Sequence, residues 1–455
     1  MLFNSYEYIF LFLPLTFFVY FYLNSKRLTE ASKGFLVLSS LFFYSWWNVV
    51  YLPVILSSML VNYTIGRSFS KDRSKKVSKK TILTIGILFN LFLLGYFKYM
   101  DFFIENINFV TDANFSTLNL VLPLAISFFT FQQIAYLVDS YRNETHEYDF
   151  LNYSLFVTFF PQLIAGPIVH HKEMMPQFAN VKNKVKNYRN ISLGIFVFSI
   201  GLFKKVAIAD TFAVWANNGF DKAGVLTFIE AWATSLSYTF QLYFDFSGYT
   251  DMAIGAALLF NIRLPINFNS PYKALNIQDF WRRWHMTLSR FLRDYVYIPL
   301  GGNKDGEYKT YANLFATFLV GGIWHGAGWT FIVWGVLHGI AMITHRIYSR
   351  LGFKMNKILA WIITFNFINI TWVFFRAKDL ESAFFMLEAM FGIENITFIP
   401  VGALQTILIF AAFIVLLYGK LKMLYADNIV LISATLFVMS LLFLSRKSSF
   451  LYFNF

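Results

Sequence analysis

Apolar positions in this chain run in long blocks. Neither the strict alternation of a half-buried strand nor the narrow stripe of a surface helix dominates. Blocks near residues 8–23, 82–103, 120–141, 191–211, 228–246, 250–262, 330–345, 358–375, 403–417 and 429–444 predict helices that are apolar on every side. Crossing a hydrocarbon core about 30 Å thick takes about 20 helical residues, and several of these blocks are shorter. Residues 34–66 predict two short passes that break near Trp47, Asn48 and Pro53. Residues 156–166 and 295–302 predict re-entrant or interfacial pieces. Irregular backbone at that depth persists only where it is buried in protein or lines a wet cavity. The predicted fold class is therefore an all-α polytopic membrane protein, a helical bundle with short and re-entrant helices around a central tunnel. Residues 1–427 would form the membrane domain and residues 428–455 a final span with its tail.

Composition narrows the class further. The chain is 57% hydrophobic, 21% aromatic and 14% charged over 455 residues, which excludes an ordinary soluble protein. Residues 1–23 lack a basic leading region and an A-x-A site, so residues 8–23 are expected to stay as a first span. A net charge of +13 could suggest nucleic acid, but its placement does not. Lys26, Arg27 and Lys33 follow the first span, and Arg67, Lys71, Arg73, Lys75, Lys76, Lys79 and Lys80 crowd one loop. Further basic groups gather at 182–189, 346–357 and 420–422, whereas 105–119 and 392–400 contain no Lys or Arg. This is the positive-inside pattern of a membrane protein lying against anionic lipid, and nucleic-acid binding is not expected. It places both termini outside. Cysteine is absent, so disulfides, thiolate nucleophiles and cysteine-rich metal sites are excluded, and any covalent carrier within the chain must use oxygen or nitrogen. No metal site is expected.

Candidate chemistry concentrates between residues 279 and 326, where His285 and His325 each follow tryptophan-bearing apolar sequence. A helix through 281–291 would put Trp281, Trp284, His285 and Leu288 on one face, with Arg282, Arg283 and Arg290 mostly elsewhere. His325 lies between Trp324 and Gly326, and Gly321, Gly322 and Gly328 leave the local backbone open to close approach. Imidazole is the natural proton shuttle at neutral pH, and a titratable group at membrane depth is a functional candidate. A helix-interface histidine that merely bonds a carbonyl fits either residue taken alone. Gln132, Gln133, Asp139, Asp245, Ser247 and Asp251 also fall at membrane depth. The carboxylates are expected to face a cavity or pair with a cation such as Arg282 or Arg283, as ties between helices before any chemistry.

The stretch FWRRWHMTLSRFLRDYVYIPLGGNK followed by GGIWHGAGWTFIVWGVLHG resembles the signature of the membrane-bound O-acyltransferase superfamily, in the branch of bacterial alginate O-acetylases and related cell-wall acetylases. LPLAISFFTFQQIAYLVDSYR, FPQLIAGPIVHH and LYFDFSGYTDMAIG resemble further blocks of that branch in the same order. The resemblance implies that His325 is the catalytic residue, that His285 is the second motif histidine, and that acetyl-CoA is the acyl donor. It makes Trp281, Trp284, Trp324, Arg282 and Asp251 candidates for the tunnel wall. The chain ends in F-x-Y-x-x-F, Phe450 to Phe455, which resembles a C-terminal motif of acyl-export systems in this superfamily whose tyrosine carries the acyl group. A phenol with a pKa near 10 leaves more readily than an alkyl alcohol, so an ester on Tyr452 would keep much of a thioester's transfer potential. An aromatic anchor at the membrane interface is the plainer reading of the same residues. The function expected is acetyl transfer across the membrane for O-acetylation of an exported polysaccharide, peptidoglycan or alginate-like, through a separate periplasmic O-acetyltransferase. D-alanyl transfer to teichoic acid from a carrier protein, and a non-catalytic export scaffold, are the alternatives.

Overall fold

The structure is a computed structural model that describes residues 1–69, 77–145, 149–222, 224–392, 402–418, 429–444 and 451. Among these the chain is helical and contains no strand. The first half comprises α1 (Leu13–Ser25), α2 (Thr29–Ser45), α3 (Leu52–Ser68), α4 (Lys79–Leu94), α5 (Met100–Thr111), α6 (Ile126–Tyr141), α7 (Phe150–Thr158), α8 (Phe160–Leu163), α9 (His171–Ala179), α10 (Tyr188–Phe203) and α11 (Asp210–Asp221). The second half adds α12 (Phe228–Leu259), α13 (Ile277–Trp281), α14 (Met286–Leu292), α15 (Glu307–His325), α16 (Trp329–Arg350), α17 (Lys357–Arg376), α18 (Leu380–Phe391), α19 (Ala403–Tyr418) and α20 (Ile429–Phe443). Six helical stretches among the described residues are long and apolar enough to cross a membrane: Glu7–Ser25, Val49–Ser68, Lys79–Thr111, Tyr188–Lys222, Trp329–Arg350 and Lys357–Arg376.

The bundle is built around α12. Thr227 and Glu230 close a reciprocal capping box at its start, with Thr227 N donating to Glu230 Oε2 at 3.0 Å and Glu230 N to Thr227 Oγ1 at 3.3 Å. Its 32 residues extend about 48 Å and are buried along most of their length. α10, α11, α17, α18 and α19 pack against it. Contact with α10 is backbone-close: a Cβ on Gly201 would lie 2.5 Å from Gly248 O. α20 lies along α10.

Broken helices here are sealed by side chains. α7 ends at Thr158 and α8 starts at Phe160, both buried. The freed carbonyl of Phe156 accepts from Gln132 Nε2 at 2.8 Å and Gln162 Nε2 at 2.7 Å. Among the described residues, π-helical turns join α4 to α5 (Gly95–Tyr99) and α10 to α11 (Lys204–Ala209), lead into α1 (Glu7–Phe12) and follow α14 (Arg293–Tyr297), and such turns often mark functional positions.

Two expectations are corrected. No continuous helix runs through 281–291: α13 stops at Trp281, and His285 takes a left-handed conformation (φ 41°, ψ 54°) before α14. Paired bonds from Met286 N to Asn267 O (2.9 Å) and Asn269 N to Arg283 O (2.9 Å) hold this turn against an extended segment. The carboxylates of α12 also do not pair with Arg282 or Arg283. Asp251 pairs with Lys204 at 2.6 Å and Asp245 with Lys205 at 2.6 Å, because the α10–α12 contact brings the Lys204–Ala209 turn alongside. Arg283 instead bonds Asp279 at 2.8 Å, and Arg282 is exposed.

Candidate active site

α15 carries His325 at its last residue, and α16 doubles back after a short turn. The two helices close tightly, since a Cβ on Gly335 would lie 2.7 Å from Phe318 O. The His325 ring is buried at 3% exposure and boxed edge-on by Trp324 (4.9 Å), Phe375 (5.0 Å) and Trp334 (5.1 Å). Trp324 touches both motif histidines, with the His285 ring 6.4 Å from its own. His285 is fully buried, and Phe246 of α12 meets its ring edge-on at 4.8 Å. The sequence thus predicts two histidines that the fold does bring together around one indole.

The proton on His285 can be assigned from its neighbours. Asn267 Oδ1 accepts from Thr287 N at 3.1 Å and Thr287 Oγ1 at 2.9 Å, which fixes the amide's orientation. His285 Nδ1 lies 3.2 Å from the same oxygen and must be the donor. The neutral ring therefore keeps its lone pair on Nε2, which suits it to accept from an acceptor hydroxyl and not to donate to an oxyanion.

Sequence reasoning missed Lys98. It rises from the Gly95–Tyr99 π-turn and donates from Nζ to Trp324 O (2.6 Å), His325 O (3.0 Å) and Ser127 Oγ (3.1 Å). Tyr99 Oη adds a bond to Ile323 O at 2.5 Å. The carbonyl end of α15, where partial negative charge collects, is thereby tied to the chain between α4 and α5. A lone lysine inside the apolar block 82–103 is the signal that could have found it. His338 on α16 was missed too. It is fully buried, accepts from Trp281 Nε1 at its Nδ1 (3.2 Å), and packs on Trp334 at 4.5 Å.

Two cavities flank this box, at opposite ends of the α15–α16 hairpin. One, of about 860 Å³, is lined by Trp281, Met286, Phe318 and Met342 and by Arg282, Arg290, Arg293, His345, Arg346 and Arg350. Arg290, Arg293 and Arg350 already pair with Glu173, Asp294 and Glu307. Arg282 and Arg346 have no carboxylate partner among the described residues. The other cavity, of about 280 Å³, lies beyond His325 and is lined by Lys98, Asp101, Leu122, Gly326 and Phe331.

Of the remaining predicted residues, Trp284 is buried against Trp372 (5.0 Å) and Phe280 (5.7 Å), and Trp324 stacks on Phe131 (4.9 Å) while donating to Ser127 O (3.3 Å). Asp251 serves the Lys204 tie. Tyr452 lies outside the described residues, but the adjacent Leu451 N donates to Asp245 Oδ2 at 3.1 Å. Among the described residues no cluster of His, Asp and Glu could hold a metal ion.

The family model for MBOAT, membrane-bound O-acyltransferase family, matches residues 43–384. The chain is 56% identical to a peptidoglycan O-acetyltransferase of Helicobacter pylori over 430 residues, covering 87% of this chain and 81% of that protein. It is 38% identical to a probable alginate O-acetylase of Pseudomonas aeruginosa, over 93% of this chain and 82% of the relative. A teichoic acid D-alanyltransferase of Bacillus subtilis is 28% identical over 58% of this chain and 71% of its own length. The resemblance carried by the WHG and WRRWH blocks thus extends along the helical bundle, and the chain belongs to the membrane-bound O-acyltransferase family of enzymes.

Proposed function

We propose that this chain takes an acetyl group from cytoplasmic acetyl-CoA and passes it across the bacterial inner membrane for O-acetylation of an exported polysaccharide. The observation that carries the reading is a pair of buried histidines held between an arginine-lined cavity and a smaller one at the other end of the same hairpin. Peptidoglycan is the leading acceptor, by the 56% identity to an enzyme of that name, ahead of an alginate-like polymer. D-alanyl transfer has weaker support, at 28% identity over 58% of the chain.

The basic end of the hairpin, at Arg346 and Arg350, faces the cytoplasm by the positive-inside rule, with both chain termini outside. There Arg282 and Arg346 meet the donor's phosphates, and the pantetheine arm reaches toward His325 along Trp281 and Phe318. His325 takes the proton from the attacking hydroxyl as its oxygen bonds to the thioester carbonyl carbon. His285 Nε2 orients that hydroxyl. Collapse of the tetrahedral intermediate breaks the C–S bond, and the thiolate leaves with the proton from His325. Tyr452 is the first acceptor, and its aryl ester passes the acetyl group to a separate periplasmic O-acetyltransferase that modifies the polymer. Trp284 and Trp324 shape the box, and Asp251 supports α12.

Mass spectrometry of the C-terminal peptide, beside a His325→Ala control, tests this. The expected result is an acetyl group on Tyr452 that the control lacks, with polymer acetylation lost in both His325→Ala and Tyr452→Phe strains. An alanyl mass would move the reading to D-alanylation. Lost polymer export in His325→Ala, with normal protein level, would favour a scaffold. An unmodified tyrosine with acetylation intact in Tyr452→Phe would sink the relay.

A further inference from the structure

Attack on a thioester moves an electron pair onto the carbonyl oxygen, and that oxyanion needs hydrogen-bond donors already in place. The two motif histidines do not supply them. His325 is occupied with the proton of the attacking hydroxyl, and His285 presents a lone pair at Nε2, because its Nδ1 proton goes to Asn267 Oδ1 at 3.2 Å.

Unused donors lie on α16. Trp334 is 1% exposed and meets the His325 ring edge-on at 5.1 Å, yet its Nε1–H reaches no acceptor among the described residues. One turn further on the same face, His338 is fully buried with its ring 4.5 Å from that of Trp334. An indole nitrogen can only donate, so the 3.2 Å bond from Trp281 Nε1 to His338 Nδ1 fixes the imidazole lone pair on Nδ1. The proton of the neutral ring is therefore on Nε2, and this N–H is also buried without a partner among the described residues. Phe318, Phe367 and Phe375, which pack on these two rings, have no acceptor to offer. A third unmade donor, Trp372 Nε1, belongs to the ring stacked on Trp334 at 5.9 Å. Buried N–H groups left unmade are unfavourable and rare, and here they gather beside one histidine.

We propose that Trp334 Nε1 and His338 Nε2 form the oxyanion site of this enzyme, donating to the acyl carbonyl oxygen. Their place fits that ligand. Trp281 and Phe318 line the larger cavity and pack on His338 at 5.2 and 6.3 Å, so a continuous run of ring contacts leads from the cavity wall through His338 and Trp334 to His325. As the hydroxyl oxygen bonds to the carbonyl carbon, the C=O π pair moves to oxygen and both N–H groups hold it there. The pair then returns, the C–S bond breaks, and sulfur leaves with the proton that His325 took. The assignment rests on His325 as the base of acyl transfer, and not on which hydroxyl attacks.

Membranes carrying the full-length protein and its polymer, supplied with acetyl-CoA, give kcat and the KM for the donor. Benzothienylalanine in place of Trp334 keeps the ring's shape and puts sulfur where the N–H was. kcat is expected to fall about a hundredfold with KM changed no more than a few-fold, the loss of one oxyanion donor. An unchanged kcat overturns the role of Trp334, as does a hundredfold loss found only when Trp372 is replaced in the same way. His338→Gln returns an amide N–H near the former Nε2 and should keep more of the rate than His338→Leu, and equal losses overturn the role of His338. A binding readout separates donation from packing. The unreactive ketone analogue of acetyl-CoA, with a methylene in place of sulfur, should show its carbonyl stretch at lower infrared frequency on the natural protein than on the Trp334 isostere. The same frequency on both overturns the proposal even where the isostere is inactive. His325→Ala tells the two readings apart: if it is inactive while the Trp334 isostere is fully active, the oxyanion site alone fails, and if it is active, the base and the oxyanion site fail together.

Discussion

Lys98 puts an ammonium where the surrounding block is hydrocarbon, and directs it at the backbone of the helix that ends in His325, the residue proposed as catalytic. Methionine is similar in length and cannot donate. Lys98→Met would strip the carbonyls of Trp324 and His325 of their partner, at about 1–3 kcal/mol for each buried acceptor left unmade. Polymer acetylation is expected to fall about tenfold or more per molecule of protein in the membrane, with Lys98→Arg restoring part of it. Full activity in Lys98→Met would show that the helix end holds its own position. The turn at His285 makes a parallel point. Asn267→Ala removes the acceptor that sets the tautomer, and transfer should drop about tenfold, the worth of one such bond. Thr287→Val, which deletes only the hydroxyl donor, should cost less, and a larger loss there would shift the role from Asn267 to Thr287.

The histidines and tryptophans were legible in the sequence because rare residues stood out against an apolar background. Lys98 is equally rare, but its partners lie 226 and 227 residues away, a separation that spacing alone does not bridge. The same holds for Asp245 and Asp251, whose cations come from a neighbouring helix. Arg282 and Arg283 were nearer in the reading and wrong in space.

At the scale of elements, most apolar blocks gave helices, but 228–246 and 250–262, read as two, form the single helix α12, and the block 120–141 becomes helical only from Ile126. What periodicity did not reveal was the bend at His285. Residues 281–291 satisfy a helical face, yet the backbone reverses hand there because Asn267 and Asn269 offer it better hydrogen bonds than a continued helix would. The α15–α16 hairpin depends instead on the absence of side chains. Gly335→Val would set a branched Cβ where 2.7 Å separates it from Phe318 O, forcing the helices apart. Overpacking of this kind costs about 1–3 kcal/mol. We expect a lower melting temperature in detergent and lost acetylation together, because the same contact carries both His325 and Trp334. A variant that melts normally but is inactive would mean that the hairpin shifts without loosening.

For the whole molecule, the important asymmetry is between the two cavities. A wall carrying Arg282 and Arg346, which have no carboxylate partner among the described residues, suits a phosphate-bearing donor at one end of the hairpin, whereas the cavity at the other end is smaller, about 280 Å³ against about 860 Å³. Under the proposed relay, a single side chain would need less room there than a polymer would. The asymmetry also separates binding from chemistry. Arg282→Gln and Arg346→Gln keep hydrogen-bonding ability but remove charge at a distance from the reacting atoms. Each should raise the KM for acetyl-CoA roughly tenfold, in line with about 1.5–3 kcal/mol for a hydrogen bond to a charged group, and change kcat by no more than a few-fold. The double variant should also lose much of the salt dependence of donor binding, since long-range attraction is what ionic strength screens. Measuring both constants against donor concentration at low and high salt decides the matter. A fall in kcat at unchanged KM would mean that the arginines act at the reacting centre and that the donor enters by another route.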